Sequence, residues 1–210
     1  RKVVKYTQEI AKKYPLQFIF PTKLMGRDGP IESFNTEQEI FEYKVREEYN
    51  LESQISEVVI TRILNLLLQE RLQPSDIFNF ISSGRNIDGN MKKMIEMGLK
   101  AHFDKNYVCS VTILIPQIEE LLRNVLRRHG ITPTKYDQRK GGIEQTLLGT
   151  LVDEIEPIVG EDFAEYLRIR LTVAFANIRN KVCHGWMLVE EFKESLSVAL
   201  IFMILKLCDA

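Results

Sequence analysis

The chain has 210 residues, 45% of them apolar and 27% charged, and a net charge of −1. This is ordinary globular composition, long enough to bury one large core or two small ones. It excludes recognition of a polyanion or a membrane by global charge, so any such site must come from local clustering.

Helical periodicity dominates the chain. Lys2 to Tyr14 reads as a short helix, and Leu16 to Phe20 as an extended segment held between Pro15 and Pro21. Gly26-Arg27-Asp28-Gly29-Pro30 is a turn rather than a phosphate cradle. Thr36 and Glu39 form a capping box that opens a long helix, with a break expected near Asn50 and an end before Pro74. Its apolar positions include Ile40, Phe41, Val45, Ile55, Val59, Ile63, Leu66 and Leu67. The turn-rich stretch Ser82 to Asn90 divides a helical N-terminal region of unknown role, 1–82, from a helical bundle, 90–210.

Within the bundle, Met91 to Phe103 forms one helix with Asn90 as N-cap, and Tyr107 to His129 a second that ends at Gly130. Val111, Leu114, Ile118, Leu121, Leu122 and Val125 supply its core-facing stripe. Ile143 to Ile155 is a third helix, closed by a turn at Pro157 and Gly160. Phe163, Leu167, Leu171, Phe175, Ile178 and Val182 line one continuous helix after it. The last helix, Val189 to Leu207, is apolar all round from Val198, which makes it either central or covered by a partner subunit. The fold class is therefore all-α. Cys109, Cys183 and Cys208 have no metal-ligand or disulfide spacing, which suits a reducing cytosol and predicts a cytoplasmic protein. Val198 to Leu205 is too short to span a bilayer, so no membrane-spanning segment is expected. The opening Arg1-Lys2 lacks both a methionine and a secretory signal. It reads as the start of a fragment or processed chain, whose flanks could carry a targeting segment. No P-loop, dinucleotide fingerprint or zinc spacing is present, so no cofactor and no metal is expected.

The chemistry concentrates in Arg179-Asn180-Lys181-Val182-Cys183-His184-Gly185. A guanidinium can hold a phosphate bidentately, and an imidazole can move a proton near pH 7. On a continuing helix Arg179 and His184 would lie about 140° apart, and they converge more easily if the helix ends near Cys183. Gly185 suits that end, because it adopts the left-handed conformation without steric penalty. Asn180 is placed to donate to a phosphate or orient His184, and Lys181 adds a second cation. The bland alternative is a C-capping histidine and an ion-paired arginine. Arg123 to Gly130 repeats the pattern with one more residue between arginine and histidine. From Arg123 to Lys140, six cations (Arg123, Arg127, Arg128, Lys135, Arg139, Lys140) face Asp137 alone, a local charge of +5 that could track an RNA backbone. Tyr136 is available to stack a base, although such a cluster is more often solvated surface. Trp186 is either a base-stacking residue or a packing anchor.

Arg-Asn-x-x-x-His-Gly at 179–185 resembles the signature of the HEPN superfamily (higher eukaryotes and prokaryotes nucleotide-binding domains). More narrowly, it resembles the domain of unknown function found in bacteria and in the endoplasmic-reticulum membrane-associated RNA degradation protein. Leu114 to Arg123 is similar to that family's upstream helix, and the likeness covers about Met91 to Leu207. The resemblance implies an up-and-down helical bundle and a homodimer, joined here through the motif helix and the last helix. It also implies metal-independent endoribonuclease activity on RNA, with Arg179, His184 and Asn180 as site residues. Glu119 or Glu120 would orient Arg179 from the upstream helix, or Glu119 would merely pair with Arg123 at i+4. The alternative function is a non-catalytic RNA-, nucleotide- or protein-binding helical module. An enzyme should turn Arg179 and His184 into one solvent-open cleft. A structural module should bury His184 against carbonyls and lock Arg179 to a carboxylate.

Overall fold

The computed structural model describes residues 2–26, 29–137, 141–172 and 176–210. The fold is all-α, 72% helical, with two short antiparallel hairpins besides. In chain order come α1 (Lys2–Lys13), β1 (Thr22–Gly26), β2 (Gly29–Phe34), α2 (Glu37–Glu70) and α3 (Pro74–Ser83). The second half contains α4 (Gly89–Phe103), α5 (Tyr107–Arg128), β3 (Thr134–Asp137) and β4 (Gly142–Gln145). It closes with α6 (Leu148–Val159), α7 (Glu161–Leu171), α8 (Ile178–Cys183) and α9 (Glu194–Leu207).

Local signals set many of these boundaries. Thr36 Oγ1 accepts from the Glu39 amide while the Glu39 carboxylate accepts from the amides of Thr36 and Asn35, so the capping box starts α2. Those amides hold the Glu39 carboxyl below its ordinary pKa. Helix α2 runs unbroken past Asn50. At α4 the cap is Asp88 rather than Asn90, because its carboxylate reaches the amides of both Asn90 and Met91. Segment 15–20 is not extended: Pro15–Phe18 forms a 3-10 helix, as proline at a helix start allows.

Two corrections concern the bundle. Ile143 lies in β4, opposite Tyr136 of β3, so the third bundle helix starts at Leu148 and passes through Pro157 to Val159. Gly160, at φ +88°, makes the turn. The helix expected from Phe163 to Val182 is two helices, because α7 ends at Leu171, capped by Thr172, and Asn177, at φ 42°, precedes α8. Phe175 of that stripe lies outside the described residues.

The main core runs from Ile77 and Ile81 of α3, across α4–α8, to Cys208, so the loop after Ser83 does not separate two cores. Phe18, Phe34, Ile40 and Tyr43 form a second, smaller cluster near the N-terminus. Helix α9 is the central element. Val198, Ala199, Leu200, Ile201, Met203, Ile204 and Leu207 are all buried, against α2, α3, α4 and α5. Of its apolar residues after Val198, Phe202 and Leu205 are partly exposed.

Helix α2 buries Ile40 as expected, but from Ile55 onward it reverses its expected face. Ile55, Val59, Ile63, Leu66 and Leu67 are about half exposed, whereas Ser53 and Glu57 are buried. The reason is polar. Glu57 receives the Arg170 guanidinium (Nε–Oε1 2.6 Å, Nη2–Oε2 2.9 Å) and the Tyr166 hydroxyl (3.2 Å), both from α7. Burial raises the Glu57 and Tyr166 pKa values. A buried charge must be paired, and this pairing fixes the rotation of α2. Among the described residues, no helix is long and apolar enough to cross a membrane.

Candidate functional site

Helix α8 packs against α5 and α7, and its C-terminal end is built by its own sequence. The Trp186 amide donates to Lys181 O (2.8 Å) and the Gly185 amide to Val182 O (3.2 Å). This is a Schellman cap, with Gly185 at φ +69° supplying the left-handed residue. His184 is the C-cap, with its ring exposed and stacked on Trp186 at a centroid distance of 4.9 Å and 30° between planes. Trp186 is 65% exposed, so it is not a packing anchor.

The similar pattern at 123–130 ends in the same cap, with Ile131 N donating to Leu126 O and Gly130 N to Arg127 O. The side chains diverge. His129 Nδ1 lies 2.9 Å from Val125 O, a C-capping bond to its own helix, and Arg123 is only 8% exposed. Among the described residues, no hydrogen bond engages the His184 ring.

Arg179 points the other way, into the space between α8 and α5. Its Nε donates to Glu119 Oε2 (3.1 Å) and its Nη1 to Asn180 Oδ1 (3.1 Å). Glu119 Oε1 simultaneously accepts from Arg123 Nη2 at 2.5 Å. One carboxylate thus serves both partners considered for it, and Glu120 instead joins Arg127 (2.7 Å) and Arg123 (3.5 Å). Burial pushes the Glu119 carboxyl up, but the two guanidinium groups together outweigh it and leave its pKa below the ordinary value. Asn180 orients the guanidinium rather than the His184 ring; the bond it shares with His184 runs from backbone to backbone.

Arg179 and Asn180 line a cleft of about 350 Å³ with Glu119, Arg123, Gln145, Thr146, Leu147, Leu148, Gly149, Leu171 and Thr172. His184 is not among the lining residues, so one chain does not bring the two motif side chains into this cleft. Features of both the enzyme and the structural module are therefore present. Arg179 is held by a carboxylate yet a third exposed, and His184 is solvent-open.

The described residues of the expected basic tract do not form one exposed patch. Arg123 is buried on Glu119, Arg127 is paired with Glu120, and Lys181 lies 3.2 Å from Glu191. A linear window from 123 to 140 omits Glu119 and Glu120, which are on the same helix face one or two turns earlier. Arg128, Lys135 and Tyr136 are exposed, whereas Arg139 and Lys140 lie outside the described residues. Cys183 is exposed and unrelated to any disulfide.

Sequence reasoning missed Thr146 and Thr172 as cleft residues, and missed a buried polar chain in which Ser197 Oγ contacts His102 Nδ1 (2.9 Å) and Ser110 Oγ (2.7 Å). Burial lowers the His102 pKa. No local pattern marks these residues, although a polar threonine between a strand and an uncapped helix start was one available signal. Among the described residues, no three His, Cys, Asp or Glu side chains are grouped to hold a metal ion. No family model, no curated protein and no solved structure matches the chain.

Proposed function

We propose that this chain is a metal-independent endoribonuclease that cleaves RNA through attack of the ribose 2′-hydroxyl. The observation that carries the reading is the exposed His184 imidazole, fixed at the end of the short helix that also holds Arg179 at a donor-rich cleft. Five residues of helix separate the two along the axis by about 7.5 Å, the scale of one nucleotide step. His184 takes the proton from the 2′-hydroxyl as O2′ attacks phosphorus, or gives one to the leaving 5′-oxygen. Arg179 neutralises the charge that develops on the phosphorane oxygens. The products are a 2′,3′-cyclic phosphate and a 5′-hydroxyl. One imidazole supplies one of the two proton transfers, and His184 of a second copy is the natural source of the other.

A specific observation favours a second reading. The Glu119–Arg179 ion pair and a cleft without His184 suit a module that binds RNA or nucleotide and does not cut it. The test is incubation of an RNA panel with the purified chain in excess EDTA, beside His184→Ala and Arg179→Ala variants of unchanged fold. Cleavage that leaves cyclic-phosphate ends and is lost in both variants supports the enzyme. Cleavage that persists in His184→Ala overturns the mechanism, and binding without cleavage by the parent chain overturns it in favour of the second reading.

A further inference from the structure

The cleft beside Arg179 contains more donors than its own acceptors can use. Thr146 is 3% exposed and Arg123 8% exposed, and both line the cleft. Thr146 Oγ1 and Arg123 Nε are nevertheless buried without a hydrogen-bond partner. Unpartnered buried polar atoms are rare and call for a reason, of which an absent ligand is one. The Thr146 amide is satisfied by Pro133 O at 3.1 Å, so the backbone holds this threonine at the end of β4 independently of its hydroxyl.

The wall next to Thr146 is the start of α6, twelve residues long. Its N-cap is Leu147, which has no side-chain oxygen to accept from the first-turn amides. Leu148 and Gly149 of that turn line the cleft, and a Cβ built on Gly149 would meet nothing within 4 Å. No side chain caps the first-turn amides, and two of the residues that carry them line the cleft. A helix start carries partial positive charge and favours an anion. The opposing acceptor, Glu119, is already engaged by two guanidinium groups, so Arg123, Arg179 and Glu119 together leave one positive charge.

We infer that this cleft is a phosphate-binding subsite, made by the Thr146 hydroxyl, Arg123 Nε and the α6 N-terminal amides, next to the Arg179 guanidinium. A phosphate group offers several oxygen lone pairs on one small anion, which matches donors converging from α5, the end of β4 and the start of α6. Because His184 does not line the cleft, the phosphate held here is not the one that His184 acts on. The subsite anchors a neighbouring phosphate of the substrate, either a terminal monoester or a backbone diester. That assignment to a substrate rests on the ribonuclease reading; the binding of phosphate itself does not.

The experiment is calorimetric titration of the full chain with inorganic phosphate at constant ionic strength, with thermal melts of every variant. Thr146→Val removes the hydroxyl at constant shape and should weaken phosphate binding about tenfold, the scale of one hydrogen bond to a charged group, at little change in Tm. Thr146→Ser should restore it. Leu147 is 79% exposed, so Leu147→Asp is tolerated there. Its carboxylate should cap the α6 amides, raise Tm and abolish phosphate binding, so a loss of affinity cannot be a loss of fold. The proposal is overturned if the parent chain shows no saturable binding, or if Thr146→Val and Leu147→Asp bind phosphate as the parent does. RNA oligonucleotides with and without a 5′-phosphate then identify the source. A Leu147→Asp defect confined to the phosphorylated oligonucleotide assigns a terminal monoester, and an equal defect with both assigns a backbone diester. Phosphate binding in a chain that cuts no RNA would leave the subsite standing and remove the ribonuclease reading.

Discussion

Glu119 carries two loads, which makes Glu119→Gln the most informative substitution. The change keeps the side chain's size and one acceptor oxygen but removes the charge between Arg123 and Arg179. Removing one member of a fully buried ion pair costs about 3–5 kcal/mol. Here the penalty is smaller, because Arg179 is a third exposed, Glu120 remains 3.5 Å from Arg123, and the amide oxygen still accepts a hydrogen bond. About 2 kcal/mol is the resulting magnitude. For a chain of this size that lowers Tm by about 4–8 °C. The pH dependence has a definite sign. The folded Glu119 carboxyl lies below its ordinary value of 4.5, so its contribution is fully present above that value. It is lost as pH falls through the folded pKa. The Tm gap between parent and variant should therefore be constant near neutrality and close in acid, read by calorimetric melts from pH 7 downward. A gap within about 1 °C at pH 7, or one that persists unchanged below the folded pKa, would refute the claim that this carboxylate compensates the buried Arg123.

Gly185→Ala places a Cβ on a residue at φ +69° and should cost about 1–2 kcal/mol in thermal melts. If His184 is the proton-transfer group, cleavage should fall further than stability does; equal Tm values would sink the account of the cap. A Cβ at Gly98 would lie 2.7 Å from Leu114 Cγ, so Gly98→Ala should destabilise the α4–α5 contact by about 1–3 kcal/mol, a loss that denaturant unfolding reads directly. Burial holds the His102 imidazole below its ordinary value of 6.5, so the unfolded chain takes up the proton first on acidification. Stability should decline as pH drops below 6.5, and His102→Gln should flatten that slope; a parallel slope in the variant would assign it to other groups.

Features decided by near neighbours in the chain were legible without the structure. The all-α class, the Thr36–Glu39 box, the α5 stripe and the glycine stop after His184 all arise from contacts one turn long, which leave residue spacings as their trace. The Schellman cap at Gly185 is such a case, and so is its twin at Gly130. Sequence could not tell the two histidines apart, because the same local cap forms at both. The tertiary environment turned His129 onto its own carbonyl and left His184 on Trp186.

The remaining decisions involved partners distant in sequence. Glu119 and Arg179 are 60 positions apart, and Glu57 and Arg170 are 113 apart. The second pair turned the apolar residues of α2 outward against the periodicity of its own sequence. The pairing of β3 with β4 withdrew Ile143 from the helix its neighbours suggested, and the left-handed Asn177 separated α7 from α8. Helix propensity and apolar spacing describe what a segment can do alone, at tenths of a kcal/mol per residue. A buried charge left unpaired costs several kcal/mol, so pairing overrides those preferences wherever the fold brings a partner within reach. The sequence by itself thus determined the all-α class, the Thr36–Glu39 and Gly185 caps and the motif. Packing alone decided which way the motif's arginine and histidine face, because that depends on the carboxylate, threonine and helix start that other segments deliver to the cleft.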